Sequence, residues 1–544
     1  MSKQSAAGLG LDIGTSFARA ATLDQHGRPL LLGGAGASLP SLVRYTIAGP
    51  TLGHYAARYL VADYESTARD VVRYLGSWRE IPAQLAAIAP YRVFEQGGRA
   101  AFDLVYSTPT AEEVYGLLAA QLAAGAAGPV VVTCPASASD SYRLSLCAAA
   151  HDAGVEVAQV INQPTAALLG LLGEVPTLGL LARKGGHVAV VDVGGGSSDV
   201  TIARLEGTSV QVVATAGEAH MGGVDFAHAL AQAVNERFAS QGVDLLGEAQ
   251  AGSRPRLQAV ALLRACEEVM EQLSTAQQAD LCLDHGAGFG HDLWAVITRA
   301  DLTQAVAPFM RRLQSLCGAA LQQANLKSRQ IGAVVLVGGV GQMPAVRHTV
   351  AAAFGQPLAT LICRQQEAAV ALGAAVQAGI LSGRLHLSVR DVTPYPLGTA
   401  CIYYAHTDKQ QELFSTIIPR QQPIPTAAHS TGGAYTQRYY TLYPNQTTMR
   451  LDVLQYRGRK ATSPTDDPPR VQPEECEKLA DFNFTNLTPG QSAMVDVTFS
   501  IDASGILHVR ACEVGTSNVL TTIVERWLGK ATLAAASLWQ AARR

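Results

Sequence analysis

The sequence predicts an α/β unit built from two related lobes, followed by an antiparallel β-domain. Three observations predict it. First, three apolar runs each end in a glycine-rich turn: Leu9-Gly10-Leu11-Asp12-Ile13-Gly14-Thr15-Ser16, Val191-Asp192-Val193-Gly194-Gly195-Gly196-Ser197-Ser198-Asp199 and Val335-Leu336-Val337-Gly338-Gly339-Val340-Gly341. Short apolar runs bounded by glycine read as buried strands. Second, the first two share one pattern: strand, Asp, Gly, a hydroxyl residue, then a second strand ending in Ala-x-Leu, at Ala21 to Leu23 and Ala203 to Leu205. This is an internal repeat, about 180 residues apart from Asp12 to Asp192, and it implies two lobes that face each other. Third, strand and helix alternate over residues 8–185 and again over 186–382, whereas only short alternating runs follow Leu385.

Taken in order, residues 114–132 are nearly all apolar, but Gly125, Gly128 and Pro129 split them into a buried helix and a strand, Val130 to Cys134, and not a membrane span. The second lobe carries a long helical stretch, Pro255 to Gln272, with acids at Glu267, Glu268 and Glu271. In the β-domain the expected strands are Ala400 to Tyr404, Leu413 to Ile418, Met449 to Leu454, Ala493 to Ile501 and Ile506 to Ala511. Thr462 to Glu475 is rich in Pro, Asp and Glu and reads as a mobile loop. Lys530 to Arg544 has room for one short helix.

Composition narrows the function. The 544 residues are 48% hydrophobic and 16% charged, so there is ample core and little long disorder. A formal net charge of −3 and the lack of a basic cluster argue against a nucleic-acid binder. The nine cysteines are scattered, with no Cys-x-x-Cys, so isolated thiols in a reducing cytoplasm are expected. Met1 to Ala7 has no apolar core and is no signal peptide.

The glycine loops carry the chemistry. Glycine at a hairpin tip lets backbone N–H groups approach a phosphate. Asp12 and Asp192 supply oxygen for Mg²⁺, which takes one or two carboxylates plus water and phosphate. A single glycine turn is ordinarily only a turn; two copies with matching Asp, and a third Gly-Gly turn, read as a nucleotide clamp.

In its motifs the chain resembles the Hsp70 chaperone family. Cys134-Pro135-Ala136 with Asp140 and Arg143 is similar to that family's Val-Pro-Ala-x-x-x-Asp-x-x-Arg. Ile161-Asn162-Gln163-Pro164-Thr165-Ala166-Ala167 resembles Ile-Asn-Glu-Pro-Thr-Ala-Ala, and Asp192 to Asp199 resembles Asp-Leu-Gly-Gly-Gly-Thr-x-Asp. His220-Met221-Gly222-Gly223-Val224-Asp225-Phe226 resembles His-Leu-Gly-Gly-x-Asp-Phe. Asp391-Val392-Thr393-Pro394, Leu397-Gly398, Ile424-Pro425-Thr426, Asn445-Gln446 and Ile501-Asp502-Ala503 with Gly505-Ile506-Leu507 match further on. The resemblance covers about residues 8–525 in order.

It implies an actin-like, two-lobed ATP-binding domain over 8–382, a linker over 383–392 and a β-sandwich peptide-binding domain over 393–526. Gly14, Thr15, Ser16, Gly194, Gly195, Gly196 and Ser197 would cradle the phosphates of ATP or ADP. Asp12 and Asp192 would set Mg²⁺ and its waters. Gly222, Gly223, Gly338 and Gly339 would close on phosphate and adenosine, with Glu267, Ser274 and Glu367 also on the nucleotide. Pro135 and Arg143 would relay nucleotide state. Phe414 and Leu442 would arch over a bound peptide, with Tyr439, Met449 and Leu451 as apolar pocket positions; without the resemblance these residues read equally well as core. Unfolded polypeptide, J-domain and nucleotide-exchange co-chaperones are the implied partners, in the cytoplasm, without nucleic acid or membrane.

Departures from the family pattern cluster at the catalytic centre. The motif Glu is Gln163, and the family Lys aligns with Val72, since Arg73, Leu75 and Gly76 match the family residues on its C-terminal side. Such a Lys stabilises charge on a transferred phosphoryl group, so slow hydrolysis is expected unless Arg73 takes over by a small register shift. On the adenosine side the family Lys and Arg are Met270 and Glu271, and the Ser and Arg of Gly-Gly-Ser-x-Arg are Val340 and Gln342. Either the pocket is re-packed around ATP or nucleotide binding is weak or altered. The Leu-rich linker is replaced by Ser388, Val389 and Arg390, with Leu385 and Leu387 upstream. After Trp527 there is no length for a helical lid, so none is expected and bound peptide should exchange fast. The leading reading is an ATP-binding chaperone; the second is a non-hydrolysing binding module for one partner. A small-molecule kinase of the actin-like superfamily leaves the β-domain unexplained.

Overall fold

A computed structural model describes residues 8–34, 37–240, 242–247, 254–283, 292–403, 410–426, 435–456, 458, 471–490 and 492–524. The expected tail helix and lid-free end beyond Trp527, and most of the Thr462 to Glu475 loop, lie outside them; Pro473–Glu475 is one 3₁₀ turn. The described chain divides into two compact units that separate between Val389 and Arg390, with Ser139–Leu144 counted with the second.

In the first unit, β1 (Leu9–Ile13) and β2 (Phe17–Leu23) form a hairpin. Helix α1 (Ala111–Ala123) opens on a Thr110/Glu113 capping box. Two further strands, β3 (Val130–Cys134) and β4 (Val157–Asn162), lie parallel to β1, giving the order β4-β3-β1-β2. Helix α2 (Gln163–Leu172) follows, with Pro164 in its first turn, where a missing N–H costs nothing.

The second lobe repeats this plan. Strands β5 (Gly186–Val193) and β6 (Ser197–Glu206) form a hairpin, β7 (Ser209–Ala219) extends it, and β8 (Ile331–Val337) pairs parallel with β5. Its helices are α3 (Gly223–Ala239), α4 (Arg254–Leu273), α5 (Arg299–Gln323), α6 (Pro344–Phe354) and α7 (Ala369–Leu381). The repeat extends to register: Asp12 pairs with Arg19 in the first hairpin and Asp192 with Asp199 in the second. The same bond closes both tips, Gly14 N–H to Phe17 carbonyl and Gly194 N–H to Ser197 carbonyl, each 3.0 Å.

Between the two sheets lie α2 and α7. Helix α7 is apolar nearly all round and packs on β1 and β2; α2 packs on β5 and β6. One core holds both helices, Ala21 and Val131 of the first sheet, and Val188, Val190 and Leu205 of the second. Full burial explains the apolar helix. Among the described residues no single helix is long and apolar enough to cross a membrane. The helices touch backbone to backbone. A Cβ on Gly170 would come 2.8 Å from the Gly373 nitrogen, and one on Gly373 would overlap the Ala166 carbonyl. Leu385, Leu387 and Val389 pack on the same core, and Ser388 N–H bonds the Thr208 carbonyl at 2.9 Å. Alternate residues of the linker thus supply its apolar face.

The second unit is a sandwich. One sheet runs β10 (Gln411–Ile418), β9 (Leu397–Tyr403), β12 (Met449–Gln455), β13 (Glu477–Phe484). The other runs β11 (Tyr435–Tyr440), β14 (Met494–Ile501), β15 (Leu507–Glu513), β16 (Val519–Ile523). Alternating residues such as Val495, Val497 and Phe499 meet Leu451 and Val453 in the core. Sequence pattern did not separate out β11, β13 and β16: β13 carries Glu477, Lys478 and Asp481, and β16 is an edge strand.

Gly373→Ala should destabilise the first unit by about 2–4 kcal/mol, because backbone must move. Gly318→Ala, exposed on α5 with no atom near its added methyl, should stabilise by about 0.5–1 kcal/mol. Urea unfolding of the two variants measures both, and equal effects would contradict the tight crossing.

Candidate functional site

The two hairpin tips face each other. A Cβ on Gly195 would lie 2.7 Å from Ser16 Oγ and 3.1 Å from Thr15 Cβ, so only glycine admits the approach. Gly223 N–H bonds the Gly194 carbonyl at 3.0 Å and Val224 N–H the Gly195 carbonyl at 2.9 Å, which ties the start of α3 to the second tip. Gly338 N–H bonds the Gln366 carbonyl at 2.8 Å, and a Cβ on Gly338 would overlap the Val193 carbonyl, so the third glycine turn lies beside the end of β5; Gly339 is exposed in the adjoining 3₁₀ turn. Gly14, Thr15, Ser16, Gly194, Gly195, Gly196, Ser197, Gly222 and Gly223 are therefore gathered where strands of both lobes end.

Beneath the tips lie carboxylates. Asp12 and Asp192 are buried, and so is Asp199. Asp12 accepts from Thr133 Oγ1 at 2.7 Å and from Gln163 Nε2 at 3.4 Å. Burial raises its pKa, against the pull of Thr133, Arg19 and Gln163. Burial, then Asp199 and Asp12, push Asp192 up to about 8. Asp199 accepts the Ser137 N–H at 3.0 Å, two residues after Pro135. Such an excess of buried negative charge fits a hard cation. Among the described residues no three His, Cys, Asp or Glu side chains form a metal cluster.

Across the cleft, guanidinium groups join the lobes. Asp70 takes a left-handed conformation, which Asp tolerates, and opens a 3₁₀ turn over Val71–Tyr74. Val72 is buried there. Arg73 Nη2 bonds Asp225 Oδ1 at 2.7 Å, and the Asp225 carboxylate also accepts the Gly222 N–H at 2.8 Å. Arg69 pairs with Asp70 at 2.8 Å and with Glu267, which also accepts from Arg264 at 3.2 Å. Arg19 reaches Glu367 at 2.6 Å, and Gln342 meets the same carboxylate at 3.2 Å. Ser274 Oγ donates to the Met270 carbonyl at 3.2 Å. Glu267 and Glu367 are thus cross-lobe ion-pair partners, a role that sequence pattern did not reveal, as it did not reveal Arg69, Asp199 and Asp225. Asp199 and Asp225 each had one signal, their places in the Asp192 to Asp199 and His220 to Phe226 motifs. A cavity of about 220 Å³ opens beside Arg73, lined also by Arg69, Tyr74, His228 and Arg256. Burial, then Arg69, hold the His228 pKa down near 4, so that ring stays neutral.

In the second unit one expectation is corrected. Phe414 does not stand free to arch over a ligand. It is fully buried in a small cluster with Leu454, Tyr456 and Val471, apart from the sandwich core. Strand alternation is the reason: Phe414 pairs with Ala400 on β9, on the face that builds this cluster. Leu442 lies half-buried in the turn after β11, its N–H bonded to Gln446 Oε1 at 3.0 Å. Tyr439, Met449 and Leu451 are all core residues, and Tyr439 OH bonds Ser415 Oγ at 2.9 Å. Pro135 is half-buried at the end of β3, and Arg143 is buried.

Known proteins resemble this chain in sequence. A family profile described as "Hsp70 protein" matches residues 8–535. The chaperone protein DnaK of Thermus thermophilus is 29% identical over 536 residues, 95% of this chain and 80% of the relative. DnaK of Deinococcus deserti is 30% identical over 528 residues, covering 93% and 77%. The chaperone protein HscA of Pectobacterium carotovorum is 30% identical over 525 residues, covering 93% and 76%. With facing hairpin tips, buried carboxylates and a match across nearly its whole length, the chain belongs to the Hsp70 family of ATP-binding chaperones.

Proposed function

We propose that this protein binds ATP with Mg²⁺ in its first unit and extended apolar peptide in its second, as a cytoplasmic chaperone of slow turnover. The observation that carries the reading is the face-to-face approach of the Thr15-Ser16 and Gly195-Gly196 tips above Asp12 and Asp192. Backbone N–H groups of both tips bind phosphate oxygens, and Thr15, Ser16 and Ser197 add hydroxyls. Asp12 and Asp192 are the residues that would hold Mg²⁺, which would supply positive charge against the phosphates. Gln163 holds Asp12 with an amide N–H but brings no negative charge to the attacking water. Val72 brings no cation. Both substitutions slow hydrolysis more than binding. Gly338, Gly339, Glu267, Ser274 and Glu367 border the adenosine. Pro135, through the Ser137 bond to Asp199, and Arg143 report nucleotide state to peptide-binding residues Leu442, Met449, Tyr439 and Leu451. Unfolded polypeptide and the co-chaperone classes of the family are the partners.

Nucleotide affinity should depend on the carboxylates and on metal. Titration calorimetry with ATP is expected to show affinity at least tenfold weaker in EDTA, and hydrolysis lost or affinity reduced in Asp192→Asn. An EDTA-insensitive affinity contradicts the clamp.

Combined Gln163→Glu and Val72→Lys should raise single-turnover hydrolysis about tenfold or more, some 1.4 kcal/mol of barrier per factor of ten. No gain, with a wild-type rate already fast, would show that the native residues suffice.

Peptide binding tests the second unit. For a labelled apolar heptapeptide, Leu442→Asp should weaken affinity about tenfold without shifting the unit's unfolding, since Leu442 is half-exposed. Met449→Asp should weaken it too, and destabilise the sandwich by placing an unpaired charge in the core. Fluorescence anisotropy reads both; unchanged binding in Leu442→Asp contradicts the cleft.

A further inference from the structure

Among the described residues of the cleft, Arg73 is the guanidinium whose bonding is markedly incomplete. Its side chain is 3% exposed, yet only Nη2 has a partner, Asp225. Nε and Nη1 are buried and make no hydrogen bond. Buried donors in native proteins are nearly always satisfied, and each exception calls for an explanation, a catalytic role or a bound ion among them.

Its position says which ligand. The stem crosses the second hairpin tip: a Cβ on Gly196 would lie 3.0 Å from Arg73 Cγ and 3.1 Å from Cδ, and would also overlap Thr15 Oγ1. The first tip, the second tip and the arginine stem therefore meet at one point. Asp225 fixes the head, because its carboxylate is itself held by the Gly222 N–H. A guanidinium has five N–H donors in a planar fork, so one edge can keep Asp225 while another takes a phosphate oxygen. Lysine carries its three donors on one nitrogen at the end of a flexible stem, so it offers no second edge held in a fixed plane.

Resting on the reading that phosphates lie between the hairpin tips, we propose that Arg73, positioned across the cleft by Asp225, is the cationic contact for the terminal phosphate of a nucleoside triphosphate. It replaces the lysine that Val72 displaces, and it makes the site discriminate triphosphate from diphosphate. Because Arg73 belongs to the first lobe and Asp225 to the second, the terminal phosphate becomes a third member of a bridge that joins the lobes. Diphosphate leaves Nε and Nη1 unpartnered and the bridge reduced to one bond.

The test is calorimetric titration of the full chain with Mg·ATP and, separately, Mg·ADP, for wild type, Arg73→Lys, Arg73→Met and the double variant Arg73→Met with Asp225→Asn. The double variant removes the carboxylate that Arg73→Met would strand, and circular dichroism checks that it folds. ATP affinity should fall at least tenfold in both Met variants, with ADP affinity changed less than about twofold; Arg73→Lys should fall between wild type and Arg73→Met. Equal losses for ATP and ADP would make Arg73 a structural residue and overturn the proposal, as would no loss for either. A wild type that binds both nucleotides while the variants keep its ATP-to-ADP ratio defeats the Arg73 assignment alone. A wild type that binds neither defeats the nucleotide reading and this proposal with it.

Discussion

The crossing of α2 and α7 governs the rest of the first unit. Gly170 and Gly373 bring two helix backbones into contact, and each helix covers the other lobe's sheet. The distance between the sheets is then set by backbone atoms, which do not compress. That spacing decides how near the two hairpin tips come. The tips meet at Thr15, Ser16, Gly195 and Gly196, where a side chain on either glycine would collide. A helix crossing remote from the chemistry thereby shapes a space whose walls are backbone N–H groups.

Charge inside that space is unbalanced in two directions. Asp12, Asp192 and Asp199 crowd together under the tips, and Asp192 is pushed up to about 8 by burial and by its two neighbours. Against Gly196 of the second tip, Arg73 keeps two donors without acceptors. Neither arrangement is stable for its own sake, because buried charge wants a partner. A cation at the carboxylates and an anion at the guanidinium satisfy both at once, and a magnesium–phosphate pair is one such unit. The surrounding ion pairs, Arg69 with Glu267 and Arg19 with Glu367, close the same cleft at other points.

Much of this was legible in the sequence because glycine and aspartate speak through backbone geometry. The two Asp-Gly hairpins, the repeat that relates them and the strand Val130 to Cys134 all follow from local pattern. The cross-lobe pairs were not legible: Arg69 lies 198 residues from Glu267, and nothing local marks that distance. Phe414 was misplaced for a related reason. An aromatic on an alternating strand fits either face, and only pairing with Ala400 reveals which. Tyr439, Met449 and Leu451 sit in the core, where strand periodicity alone would put them.

Amide hydrogen exchange of the full chain, with Mg·ATP, with ATP in EDTA and without nucleotide, reads whether the two hairpins form one site. Mg·ATP should slow exchange together at Gly14 to Ser16, Gly194 to Gly196 and Gly222 to Gly223, and ATP without metal should do so far less. Protection confined to one lobe, or none at any of the three turns, would contradict a site formed by two facing hairpins.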